Sequence, residues 1–368
     1  AAIHSPFHPK PLVPQHAATT SLAMTRKATL TQLVSQADAV VRGRVVSVAS
    51  GWAPHQRLIE SHATVAVSYS LLGQATTTIT VTTPGGYLAD EGLGMVSPHT
   101  AAFTAGEEVL LFLRQTTAQW QVINGAGGKF RLRGQEAMSD DLQIVESLDS
   151  FLVSVAALCA TRTAAQPTVA LWGVDRVTTP HQLSALHATA QQTGTAHKWA
   201  SPHAGATYYV NTNSAQFTSP TAVDELRNAI IAAAATWSDI ASADFALHYG
   251  GATGATATSY NGVNEILFMH KGATERAAAA EVWYTADQTI VEADIWINDD
   301  YQWNVAGTPA ANEVDLESAL IHEFGHWLIL NHTAYPTSVM YPRLATGAIK
   351  RTLGDEDIAG ISAIYPRR

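Results

Sequence analysis

The chain has 368 residues, 46% of them hydrophobic and 14% charged, with a formal net charge of −10. Such a length exceeds one ordinary domain and suggests two, each with enough apolar sequence for its own core. The acidic balance excludes a basic field for nucleic acid or an anionic membrane surface, and no stretch approaches the roughly 20 apolar residues needed to span a bilayer.

Residues 1–28 begin AAIHSPFHPKPLVPQHAATT, rich in proline, histidine and threonine without periodicity, and read as an extended arm. With no initiator methionine and no apolar signal core, the opening leads us to expect a secreted chain whose signal peptide has been removed. A helical run, TLTQLVSQAD, follows. Strand-like runs then start at Ala39, His62, Thr76, Glu107, Trp120 and Lys129, divided by glycine and proline turns. Short alternating strands of this kind predict a mostly antiparallel β barrel or sandwich over residues 29–137.

Residues 138–204 read as a helical connection and linker: helices over Ser147–Cys159 and Thr179–Gln192, then the polar stretch TGTAHKWASPHAGA. Cys159 is the single cysteine, so no intrachain disulfide can form. Its expected role is a small buried apolar residue at a helix end rather than a zinc-capping thiolate. From residue 205 to 368 the pattern changes to an α+β domain. TYYVN reads as a strand, and Ser219 with Pro220 behind it opens a long helix whose Val223, Leu226, Ile230, Ala234 and Trp237 share one face. NEILFMH and VEADIWIND alternate as strands, and a last short helix starts at Asp355.

Asp315 is a good N-cap for a helix carrying HEFGH. His322 and His326 stand about 400° apart around the axis, so both imidazoles lie on one face and can bind one zinc. Glu323 lies about 100° round from His322, the general-base position beside such a metal. A tetrahedral zinc with one open position needs a third protein ligand. His332 on a continued helix would point about 120° away and about 9 Å further along, so the helix must break between His326 and His332. The usual device is a glycine at positive φ. Here the residue is Ile329.

Three further stretches, SVMYP at Ser338–Pro342, ADIWINDD before the helix and LGDEDIAGISAIYP at the end, stand around HEFGHWLILNH. Together they resemble the metzincin clan, and within it the matrixin family and its bacterial relatives, over about residues 205–366. The resemblance implies a twisted sheet with a long active-site helix and a C-terminal helix, and a zinc metalloendopeptidase acting on a protein or peptide substrate. It implies His322, His326 and His332 as zinc ligands, Glu323 as base and proton shuttle, and Met340 as the methionine-turn residue beneath the metal. The glycine of HExxHxxGxxH is replaced by Ile329, at a cost of about 1–2 kcal/mol for a β-branched residue in the left-handed region. Binding of three ligands to zinc contributes of the order of 10 kcal/mol in favourable sites, so the metal is expected to form with a strained turn.

Two weaker signals remain. An extended substrate is expected to add to an edge strand, for which AAAAEVWYT is the candidate. NDD at Asn298–Asp300 offers hard oxygens to calcium, although a solvated turn accounts for it more simply. The favoured function is a secreted zinc endopeptidase made as a zymogen, with the N-terminal half as an intramolecular pro-region that blocks the cleft sterically. The matrixin cysteine-switch motif is missing around Cys159, and His4 or His8 of the arm is an alternative capping ligand. The rival readings are a catalytically weak or inactive zinc-binding relative, and a protease with a permanent adhesion or carbohydrate-binding N-terminal module.

Overall fold

A computed structural model describes residues 29–164 and 197–367, apart from 55–56, 74–75, 117–118, 142–143, 202–203, 273–275 and 334. The expected arm with His4 and His8, and the expected helix over Thr179–Gln192, lie outside the described residues. Helix α1 (Leu30–Gln36) starts at a capping box: the Gln32 N–H donates to Thr29 Oγ1, and the Thr29 N–H donates back to Gln32 Oε1. It leads into β1 (Ala39–Trp52), β2 (Ile59–Leu72), β3 (Thr78–Pro84), β4 (Gly86–Leu88), β5 (Leu93–Val96), β6 (Glu108–Gln115), β7 (Trp120–Val122), β8 (Lys129–Arg133), β9 (Glu136–Ser139) and β10 (Val145–Ser147).

The pairings run β1-β2-β3-β7-β6 and return from β6 to β1, closing a circuit, with β8, β9 and β10 continuing beyond β6. The sheet therefore extends past residue 137, where the sequence reading ended it, because β9 and β10 are too short for their alternation to stand out. Period-two alternation sorts β6 between two cores. Val109, Leu111 and Leu113 join Val41, Val65 and Val81 in one cluster, while Leu110 and Phe112 face the other side, against Leu33 of α1 and Phe151 and Val155 of α2 (Leu148–Ala164). Cys159 sits in that second cluster, and burial pushes its thiol pKa up.

The C-terminal sheet is built from β11 (Lys198–Trp199), β12 (Ala206–Val210), β13 (Leu247–Ala252), β14 (Asn264–Met269), β15 (Ala278–Thr285) and β16 (Thr289–Asn298). Its order is β13-β12-β14-β16-β15, with β11 beside the start of β16. Lys198 and Trp199, read from sequence as linker, therefore belong to the sheet; Trp199 Nε1 donates to Trp327 O at 3.0 Å. Strands β12, β14 and β16 are parallel, whereas β15 runs antiparallel to β16. Helices α3 (Pro220–Ser238) and α4 (Leu316–Trp327) pack on this sheet, and α5 (Asp355–Ile364) closes the domain. Ser219 caps α3, accepting from the Ala222 N–H at 3.1 Å, and Asp315 caps α4, accepting from the Ser318 N–H at 3.0 Å. Among the described residues no helix is long and apolar enough to cross a membrane.

The edge expected to receive substrate is covered here. Strand β15 pairs on its outer side with β5 in antiparallel register, Val282 opposite Val96 and Thr285 opposite Leu93, and β4 extends the sheet further. Leu88, Leu93, Met95 and Ile59 bury Trp283 at this seam. Gly94 is needed there, because a Cβ would overlap the ring of Tyr284. A Gly94→Val substitution overpacks the seam at a cost of about 1–3 kcal/mol, so amide hydrogen exchange in β5 should accelerate by roughly tenfold or more. Unchanged exchange there would show that the seam is held by something other than this contact.

Candidate metal centre

Helix α4 presents His322 and His326 on successive turns of one face, as the four-residue spacing predicts. Its end is a Schellman turn: the Leu330 N–H donates to Gly325 O at 3.0 Å and the Ile329 N–H to His326 O at 2.9 Å. Ile329 occupies the left-handed position at φ 63°. An isoleucine there is strained by about 1–3 kcal/mol, partly offset because its side chain packs against the main core. The chain then turns back and carries His332 to the other two imidazoles.

The three Nε2 atoms converge, with His326 3.1 Å and His332 3.2 Å from His322. His322 Nδ1 lies 2.7 Å from Val339 O and His326 Nδ1 2.8 Å from Leu330 O, and a carbonyl can only accept, so both Nδ1 atoms carry the proton. In the neutral rings Nε2 is then a bare lone pair, and the contact between His322 and His326 opposes two lone pairs rather than making a hydrogen bond. Burial holds both imidazoles neutral, pushing the His322 pKa down to about 4 and that of His326 well below its ordinary value; burial does the same to His332. A cation between the nitrogens relieves this opposition, and the spacing is close to the edge of about 3.3 Å that zinc–nitrogen bonds near 2.05 Å give a tetrahedron. Carbonyl acceptors on the outer nitrogens are also the arrangement that orients histidine ligands.

Glu323 is fully buried beside them. The Ala280 N–H of β15 donates to its Oε2 at 2.9 Å, which fixes the carboxylate plane, while Oε1 has no hydrogen-bond partner. Met340 lies under the helix against Gly325: a Cβ on that glycine would overlap Met340 Sδ. The turn bearing Met340 is held from below by Asp357, the buried third residue of α5, which accepts from the Ser338 hydroxyl and from the backbone N–H groups of Val339 at 2.9 Å and Gly354 at 2.8 Å. The Thr333 N–H donates to Met340 O at 3.1 Å, tying the loop behind His332 to the same turn.

The structure also brings in a residue that the sequence reading did not single out. His99, on the turn after β5, is fully buried with its ring centroid 4.9 Å from that of His326 and 4.7 Å from that of His332. One nitrogen of each of the four histidines lies within 4.8 Å of the others, a group that could hold a metal ion. The stretch VSPHTAA carries no spacing motif, so no signal in the sequence marked it. The NDD oxygens meet protein donors: Asn298 Oδ1 accepts from the Lys271 N–H, Asp299 from the Ser214 hydroxyl, and Asp300 from the Gly272 N–H.

Residues 198–366 match the matrixin family model, Peptidase_M10. Residues 198–366 form a matrixin-like domain. Similar relatives include metalloendoproteinase 2-MMP of Arabidopsis thaliana, 39% identical over 71 residues, covering 18% of this chain and 19% of the relative. Metalloendoproteinase 1-MMP of the same plant is 40% identical over 73 residues, covering 20% and 19%. Metalloendoproteinase 1 of Glycine max is 37% identical over 62 residues, covering 17% and 20%. The aligned stretches thus span about a fifth of these relatives. In this matrixin-like domain the turn after α4 closes on isoleucine. Ile329→Gly relieves about 1–2 kcal/mol of turn strain and loses a similar packing term, so the thermal midpoint should stay within a few degrees with zinc binding retained. A much larger drop would mean that the isoleucine side chain, rather than the left-handed turn, holds the loop.

Proposed function

We propose that the chain is a secreted zinc endopeptidase made as a zymogen, with His322, His326 and His332 as zinc ligands, Glu323 as general base and Met340 as the floor of the site. The observation that carries this reading is the meeting of three buried neutral imidazoles at their Nε2 atoms beside a buried carboxylate with one free oxygen, in a matrixin-like domain. When bound, zinc supplies Lewis-acid polarisation of the scissile carbonyl and makes water a better acid. Glu323 Oε1 takes the proton of the attacking water and delivers it to the leaving amine, while the Ala280 N–H holds Oε2 and keeps the carboxylate in register. An extended peptide lies along β15, its main chain completing the edge hydrogen bonds.

The organisation proposed is an arm over 1–28, a β-rich pro-domain built on a closed barrel, a helical connection, and the metalloprotease domain. Support for the pro-domain comes from β5, which lies on the strand edge that substrate would use. Hydrolysis kept latent until the chain has left its own cell suits a secreted setting. The inactive-relative reading is disfavoured by the turn itself: Ile329 reaches φ 63° and His332 still meets its partners.

The test uses the full chain, incubated until processed, with a peptide substrate. Glu323→Ala should keep stoichiometric zinc and lose hydrolysis by about 10²–10⁴-fold, since a proton carrier and no ligand is removed. Retained activity in that variant would sink the assignment. His332→Ala should lose zinc on dialysis against buffer, and an unchanged metal content would place the third ligand elsewhere.

A further inference from the structure

His99 has no part in the hydrolysis just described, yet its side chain is buried in the centre of the site. Its ring lies 5.6, 4.9 and 4.7 Å, centroid to centroid, from those of His322, His326 and His332, and its Nε2 is 3.4 Å from Glu323 Oε1. Neither ring nitrogen has a hydrogen-bond partner, although the side chain is completely shielded from solvent. Buried polar nitrogens are rarely left so, and a cation met by one of them accounts for that nitrogen's missing partner.

We propose that His99 is the fourth protein ligand of the ion held by His322, His326 and His332, so that the full-length chain carries a closed four-imidazole centre and is latent through this cap. The inference rests on the zinc reading above and names the residue that enforces latency. Zinc with four protein ligands is coordinatively complete, whereas hydrolysis needs one position left to water or substrate. The cap also approaches the free oxygen of Glu323, so it occupies the space in which the attacking water would be deprotonated.

The main chain is built to hold His99 at this place. Its carbonyl accepts from the Ala126 N–H at 3.1 Å and from Arg276 Nη2 at 2.5 Å, one donor from each half of the molecule. Gly125, at φ 52°, makes this grip possible, because a Cβ there would overlap both the His99 carbonyl oxygen and the Arg276 guanidinium. Upstream, β5 is zipped to β15 from Leu93 to Val96 and delivers the turn Ser97–Thr100 to the metal, with the Thr100 N–H donating to Ser97 O at 3.0 Å. The segment from Leu93 to His99 thus combines a strand on the substrate edge with an imidazole at the metal. The single thiol, Cys159, sits on α2 and faces the core beneath it, away from this site, and takes no part.

The experiment uses the full uncleaved chain, His99→Ala and His99→Gln, each loaded with zinc or cobalt. X-ray absorption at the zinc edge of the wild-type chain should count four imidazoles, and three plus a light oxygen scatterer in both variants. Acetohydroxamate titrated into the cobalt forms should shift the visible spectrum of the variants at about 100-fold lower concentration than that of the wild type, as expected if one chain in about a hundred is uncapped. A wild-type chain that binds no zinc removes the parent reading. Stoichiometric zinc held by three imidazoles in the wild type, or equal acetohydroxamate affinity in wild type and variants, overturns the cap and leaves the zinc site standing. The count on the wild-type protein decides the matter even if both variants fail to fold.

Discussion

Two backbone carbonyls, Val339 O and Leu330 O, hold the Nδ1 protons of His322 and His326 and thereby turn their Nε2 lone pairs on each other at 3.1 Å. Without a cation this is an unfavourable contact inside a dry core, and much of the surrounding structure exists to maintain it. Asp357 pins the turn that supplies Val339 O, Gly325 gives Met340 room beneath the helix, and the Schellman turn supplies Leu330 O while redirecting the chain to His332. The left-handed isoleucine is consistent with that priority. A turn strained by about 1–3 kcal/mol persists where the surrounding contacts over-determine it.

The second constraint is the seam between the two halves of the chain, where β5 of the first joins the sheet of the second. Strand β15 is the antiparallel edge of the C-terminal sheet, and an open edge with Trp283 beside it would be prone to pair with other chains. Strand β5 satisfies that edge and buries the tryptophan, and the same pairing sets the height at which His99 meets the three histidines of the C-terminal half. Edge protection and occupation of the site are one structural event here. Exposing the cleft requires undoing a strand pairing and an apolar cluster together.

Local chemistry was legible along the chain wherever partners are near in sequence. The four-residue spacing of His322 and His326, the N-caps Ser219 and Asp315 and the alternation of the long strands all rest on local backbone geometry. Strands β4 and β5, of three and four residues, are too short to show a period, and β13, with the glycines of LHYGGA, has no apolar alternation. Their assignment came from the partners they pair with.

His332 stands between these cases. The residues required a helix break before it, and Ile329 at φ 63° is that break, but only the folded loop says how far round His332 comes. His99 lies beyond any sequence argument. Its partners are contributed by a helix and a loop far along the chain, its own neighbours VSPHTAA have the look of an ordinary turn, and its place depends on a pairing between strands of different halves of the molecule. Residue type and spacing carry chemistry only over the few turns in which backbone geometry is regular; which distant side chain enters a buried site is decided by how the sheets dock.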